Sequence, residues 1–162
     1  MRKLILFVVV AFSFMSAAAQ ETKLYNPAAN ADSDIKAAVK KAKAEHKYVL
    51  MLGGGNWCSW CLEFARFAKA DPQVDSVIKS SFVWYHLNYS KENKNGKTFA
   101  RYGFPQRFGF PVFIILDENG NRIHTQNSEY LEDGKKSYDK EKVLAFLESW
   151  SPKALDPAQY KE

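Results

Sequence analysis

The clearest chemical potential in this chain lies in its two cysteines, set two residues apart in Trp57-Cys58-Ser59-Trp60-Cys61. At the start of a helix, that spacing brings both sulfurs within disulfide reach. It also sets the first sulfur against the free backbone N–H groups and positive dipole end of the helix, where a thiolate is stabilised. Cys58 is thereby an activated nucleophile toward a disulfide. Cys61, one turn further in, is the thiol that attacks the resulting mixed disulfide. Two blander uses stay open, a structural bridge and half of a metal site. A bridge over two residues closes almost no loop and stabilises little. A metal would need further ligands, and His46, His86 and His124 are scattered, the first expected at the surface and the others in strands.

The segments around this motif alternate between helical and extended patterns. Asp32 or Ser33 is expected to cap a helix with the apolar stripe Ile35, Ala38, Val39 and Ala42. Tyr48 to Leu52 reads as a buried strand running into Gly53-Gly54-Gly55, a loop of unusual backbone freedom. From Cys58 onward, Cys61, Phe64, Ala65 and Ala68 recur at helical spacing. Asp71-Pro72 then breaks that helix, and Gln73 to Ser80 forms a short one. Phe82 to Tyr89 is the next strand, followed by a polar loop and a short helix over Thr98 to Tyr102. Val112 to Leu116 and Arg122 to Thr125 form a hairpin around Asp117-Glu118-Asn119-Gly120-Asn121. After a polar segment from Gln126 to Ser137 comes a terminal helix with Val143, Leu144, Leu147 and Trp150, ended by Pro152. This order predicts an α/β fold, a central mixed β-sheet flanked by helices.

Composition narrows the class. Of the 162 residues, 46% are hydrophobic, 25% charged and 15% aromatic, which points away from disorder and toward a globular domain. Arg2 and Lys3, the run Leu4 to Met15 and the small residues Ala17-Ala18-Ala19 read as a secretory signal peptide over residues 1–19. A run of that length is too short for a permanent anchor, and no cysteine stands at the cleavage point. The expected mature chain is residues 20–162, a single domain with a core over about 30–150 and a polar tail at 151–162. Arg2 and Lys3 carry two of the five excess positive charges. The remaining lysines are interleaved with acids, as in Lys91-Glu92-Asn93-Lys94, which gives no footprint for nucleic acid.

With these elements in order, the chain resembles the thioredoxin superfamily, and more closely the exported thioredoxin-like disulfide oxidoreductases of bacterial envelopes. The resemblance runs from about Ile35 to Trp150. It rests on strand Tyr48 to Leu52, the Trp57-Cys58-x-x-Cys61 motif, Asp71-Pro72-Gln73-Val74 and Gly109-Phe110-Pro111-Val112 before a hydrophobic strand and an Asp-rich turn. It implies a thioredoxin fold, with Pro111 as a cis-proline facing the redox pair and Phe110 offering backbone groups to an extended substrate. Two departures stand out. Leu52 occupies the place, six residues before the first cysteine, where thioredoxins usually carry a buried Asp. Ser59-Trp60 replaces the Gly-Pro of thioredoxins and the x-His of strong oxidases, so that only the Ser59 hydroxyl is left as side-chain support for a Cys58 thiolate.

The residues expected at the site are therefore Cys58 and Cys61 for catalysis, Trp57, Trp60, Phe110 and Pro111 for substrate, and Ser59 for the thiolate. Trp60 could flank the sulfurs or simply pack. Tyr102, Phe104, Phe108 and Phe113 are expected in the core. The implied function is a periplasmic thiol:disulfide oxidoreductase that reduces, or in part isomerises, protein disulfides as a monomer without cofactor or metal. Disulfide-containing envelope or secreted proteins would be its substrates, and a membrane thiol donor or another redox protein its electron source. The alternatives are a disulfide-forming oxidase, a redox-inert binding module of the same fold, and a copper or zinc carrier.

Overall fold

The computed structural model describes residues 23–161. The expected signal peptide lies outside them. Helix α1 (Ala31–Ala44) is followed by strand β1 (Tyr48–Gly54), helices α2 (Ser59–Ala70) and α3 (Pro72–Ser81), and strand β2 (Phe82–Asn88). A short helix α4 (Gly96–Arg101), strands β3 (Val112–Leu116) and β4 (Arg122–Asn127), and helix α5 (Lys140–Ser149) complete the order, with 3₁₀ turns at Pro105–Phe108, Ser128–Leu131 and Pro157–Tyr160. The four strands lie in the order β2-β1-β3-β4. β1 pairs with β2 in parallel and with β3 in antiparallel fashion, and β3 pairs antiparallel with β4. The sheet is mixed, as expected.

Successive side chains of a strand point to opposite faces, and the core divides accordingly. Leu50, Leu52, Phe113 and Ile115 pack with α2, α3 and α5, while Val49, Met51, Val112, Ile114 and Leu116 pack with α1 and α4. Both cysteines belong to the first of these clusters. β1 is buried along almost its whole length because it is central and covered on both faces. It delivers the chain to the cysteine loop from a fixed direction.

Several local expectations change. The α1 cap is Asn30, whose side chain accepts from the Ser33 N–H at 3.1 Å, and not Asp32 or Ser33. Asp32 is used elsewhere, accepting from the Arg101 guanidinium at 2.9 Å and the Thr98 hydroxyl at 3.2 Å. The core begins before residue 30, since Tyr25 is fully buried in it. Phe104 and Phe108 are exposed, not core: Phe99, Tyr102 and Pro105 already fill the inner positions of α4 and the turn after it. The segment after β4 buries Ser128 and Leu131 in its own 3₁₀ turn, and the tail carries another at Pro157–Tyr160.

Candidate functional site

Strand β1 ends in glycine for a steric reason. A Cβ on Gly54 would overlap Cys61 Sγ, and one on Gly55 would overlap Trp57 Nε1 and stand 2.7 Å from the Tyr89 carbonyl. Only glycine lets the strand pass this close beneath the redox helix. The loop that follows is held by Asn56, which accepts from the Tyr25 N–H at 3.0 Å and donates to the Tyr25 carbonyl at 2.7 Å. Cys58 is then the N-cap of α2, in extended conformation, and its sulfur accepts from the Cys61 N–H at 3.1 Å. No acidic side chain stands in the first turn of α2, so nothing there opposes negative charge on that sulfur.

Cys58 and Cys61 form a disulfide, with their Cα atoms 5.2 Å apart. Cys58 is 5% exposed and Cys61 is fully buried. The outer sulfur is thus less open than its place at a helix start implied, because in the bonded state it turns inward toward Cys61. The hydrogen bond to Cys58 Sγ comes from the backbone, while Ser59 is exposed. Trp57 is 58% exposed yet fixed, donating from Nε1 to the Tyr89 carbonyl at 2.6 Å and meeting Phe110 edge to face at 5.5 Å. Beside it opens a cleft of about 430 Å³ lined by Trp57, Tyr89, Ser90, Lys91, Glu92 and Lys94. Trp60 packs edge to face on Tyr138 at 5.5 Å, and its carbonyl accepts from the Tyr138 hydroxyl at 3.1 Å, so packing is its visible role.

The Phe110–Pro111 peptide bond is cis, and Pro111 is buried immediately before β3. Phe110 bridges the two core clusters and meets Tyr89 in a tilted pair at 4.8 Å. Phe104 and Phe108, in the turn between α4 and β3, are exposed aromatics like Trp57.

The histidines take separate positions. His46 is exposed at positive φ after α1. His124 is half-buried and stacks on Trp150 at 4.0 Å. His86, the β2 neighbour of Leu52, has its pKa pushed down to about 4 by burial. Among the described residues no group of three or more His, Cys, Asp or Glu side chains is placed to hold a metal ion. None of their helices is long and apolar enough to cross a membrane.

Sequence reasoning overlooked Tyr25. Its ring meets His86 edge to face at 5.4 Å within the cysteine-bearing cluster. It sits in a short irregular segment without periodicity, and only the adjacent apolar pair Leu24-Tyr25 before a turn-forming Asn26-Pro27 hinted at an anchor.

Residues 35–133 match the family model described as the thioredoxin-like domain. Among solved structures, the chain is similar to a disulphide isomerase from Xylella fastidiosa Temecula1, with 22% identity and a TM-score of 0.67 over 77% of this chain and 94% of that one. It is also similar to the C-terminal domain of Neisseria meningitidis DsbD in the oxidised form, with 19% identity and a TM-score of 0.53 over 74% of this chain and 95% of that one. A thioredoxin from Thermus thermophilus shares 18% identity and a TM-score of 0.50 over 70% and 81% of the two chains. No curated protein matches the sequence. With the matched segment spanning all four strands of the sheet and the whole Cys58–Cys61 helix, the chain belongs to the thioredoxin-like domain family.

Proposed function

We propose that this protein is an exported, periplasmic thiol:disulfide oxidoreductase that reduces, and to a lesser extent reshuffles, disulfides in envelope or secreted proteins. The observation that carries this reading is the asymmetry of the pair, with Cys58 Sγ at the helix cap under a backbone N–H and Cys61 sealed beneath it. In the reduced protein, the Cys58 thiolate attacks a substrate disulfide, forming one mixed disulfide and releasing one substrate thiol. Cys61 then attacks Cys58 Sγ, re-forming the internal bond and releasing the second thiol. A membrane thiol donor or another redox protein restores the dithiol, and no bound cofactor takes part.

Trp57, Phe104 and Phe108 offer exposed aromatic area for partly unfolded segments, and backbone groups at Phe110 and Pro111 receive an extended strand. Trp60 supports this surface through its packing. The reducing direction follows from what faces the outer sulfur. A strong oxidant stabilises its reduced form, commonly through a cation beside the thiolate. The Ser59-Trp60 dipeptide supplies none, leaving the Cys61 N–H and at most a Ser59 hydroxyl bond. Export follows from the signal-like segment at residues 1–19, and the protein acts as a monomer.

The test is to express Cys61→Ala in the exporting cell and resolve mixed disulfides by non-reducing electrophoresis. Accumulated adducts with envelope proteins are expected, and their absence would favour a redox-inert binding module. Equilibration with glutathione gives the direction. A reduction potential nearer about −270 mV than about −120 mV is expected, and the reverse would make the protein an oxidase.

A further inference from the structure

The floor of the redox site holds a polar atom that the two-cysteine mechanism does not use. Tyr25 is fully buried among Leu52, Phe64 and both cysteines. Its hydroxyl has no hydrogen-bond partner among the described residues. Burying a hydroxyl unpaired costs about 1–3 kcal/mol, so a phenylalanine would suit this oxidised, apolar pocket better. The hydroxyl is also held in a defined place. The point where a Gly54 Cβ would overlap Cys61 Sγ lies 3.0 Å from Tyr25 Oη, so oxygen and sulfur border the same space, the one that the missing Gly54 Cβ would fill. The reciprocal Asn56 bonds tie the Tyr25 backbone to the loop two residues before Cys58. In the disulfide the inner sulfur is a weak, uncharged acceptor, and as the thiolate formed when it attacks or leaves it becomes a strong one.

We propose that the Tyr25 hydroxyl is the hydrogen-bond donor to Cys61 Sγ in the reduced protein, stabilising the inner sulfur as a thiolate whenever it attacks or leaves. This rests on Cys58 as nucleophile and Cys61 as resolving thiol. In the resolving step, the Cys58–Cys61 bond forms and the bond from Cys58 to the substrate sulfur breaks. The substrate sulfur leaves with that electron pair and takes up the proton that Cys61 gives up. The phenol keeps its own proton, because burial, reinforced by neighbouring Tyr138, holds its pKa above the usual range. It therefore acts as a donor and not as a base. The other titratable groups facing it are neutral at pH 7: His86 from β2, and Tyr138 before α5, which donates to the Trp60 carbonyl. Leu52, in the place of the usual acid, brings no charge.

The test is Tyr25→Phe, which keeps the ring and removes the oxygen. Cys58 of the full-length protein is first loaded with glutathione, and release of glutathione by Cys61 is timed. The variant is expected to release it about tenfold more slowly at neutral pH, the factor that goes with losing a hydrogen bond to a charged group. In a Cys58→Ser background, the same change should move the pH profile of Cys61 alkylation upward by about one unit. Cys58 alkylation in the reduced Tyr25→Phe protein should be unchanged, and the oxidised form should melt no lower than wild type. Release at the wild-type rate with an unshifted Cys61 profile would overturn the proposal alone. A sharp fall in the oxidised form's melting temperature would make the hydroxyl a structural group and also overturn it. A wild-type protein unable to release glutathione would overturn the assigned cysteine roles, and the proposal with them.

Discussion

The two sulfurs of the redox pair are one helical turn apart in the same apolar cluster and have different neighbours. Around Cys58 the structure supplies a helix cap, a backbone N–H at 3.1 Å and, one residue before it, the exposed ring of Trp57. Around Cys61 it supplies the apolar cluster of Leu52 and Phe64, a strand that must be glycine at Gly54, and the Tyr25 hydroxyl, which has no partner among the described residues. A helix cap favours a thiolate, and apolar burial without such a cap disfavours one. The difference teaches how the proposed roles can be divided with no special side chain between the cysteines. In that proposal helix polarity supplies one role and burial by β1 the other.

Removing either sulfur breaks the comparison most severely. Cys58→Ser should abolish reduction of a model protein disulfide, whereas Cys61→Ala should still attack it once and stall as the mixed disulfide, both followed by mass spectrometry. Crowding the inner sulfur comes next. Gly54→Ala is expected to destabilise the oxidised protein by about 3 kcal/mol, the upper end for overpacking, because the new Cβ overlaps a sulfur that the disulfide holds in place. Denaturant melts should show a smaller loss in the reduced protein, where Sγ can rotate away. Equal losses in both states would mean that the sulfur is not the obstacle.

A pH series probes the inner side further. Burial holds the His86 pKa near 4 against an ordinary 6.5, so between those values the unfolded chain binds a proton that the folded protein refuses. Stability should therefore fall as pH drops through that window, by on the order of 3 kcal/mol from this group. His86→Leu should remove most of that slope. A remainder is expected from His124, whose pKa burial also lowers. The smallest effect belongs to the outer side. Ser59→Ala should slow Cys58 alkylation by about threefold or less, since the Cys61 N–H remains to serve the sulfur.

Much of this division was legible in the residues. Helical spacing of Cys61, Phe64 and Ala68 placed the inner thiol on a buried stripe, and the apolar run from Tyr48 placed a central strand before it. The cis peptide at Phe110–Pro111 followed from resemblance, because no local pattern distinguishes it from an ordinary X-Pro bond. What stayed hidden depends on contacts distant in sequence. Tyr25 reaches the site through Asn56, 31 residues away, from a segment with no repeating pattern. Phe104 and Phe108 read as core by type, yet the left-handed turn at Gly103-Phe104 points the chain outward after α4 has filled the interior. Capping by Asn30 was missed because Asp32 looks equally suited until Arg101 claims it.

The division of roles is tested most directly by alkylating the fully reduced wild-type protein at neutral pH with limiting iodoacetamide and mapping the label by peptide mass spectrometry. Label should appear first and almost alone on Cys58, at a rate above that of a free thiol, whose pKa of ~8.5 leaves it mostly protonated. Label appearing first on Cys61, or on both cysteines at the rate of free thiols, would contradict the roles assigned to the pair.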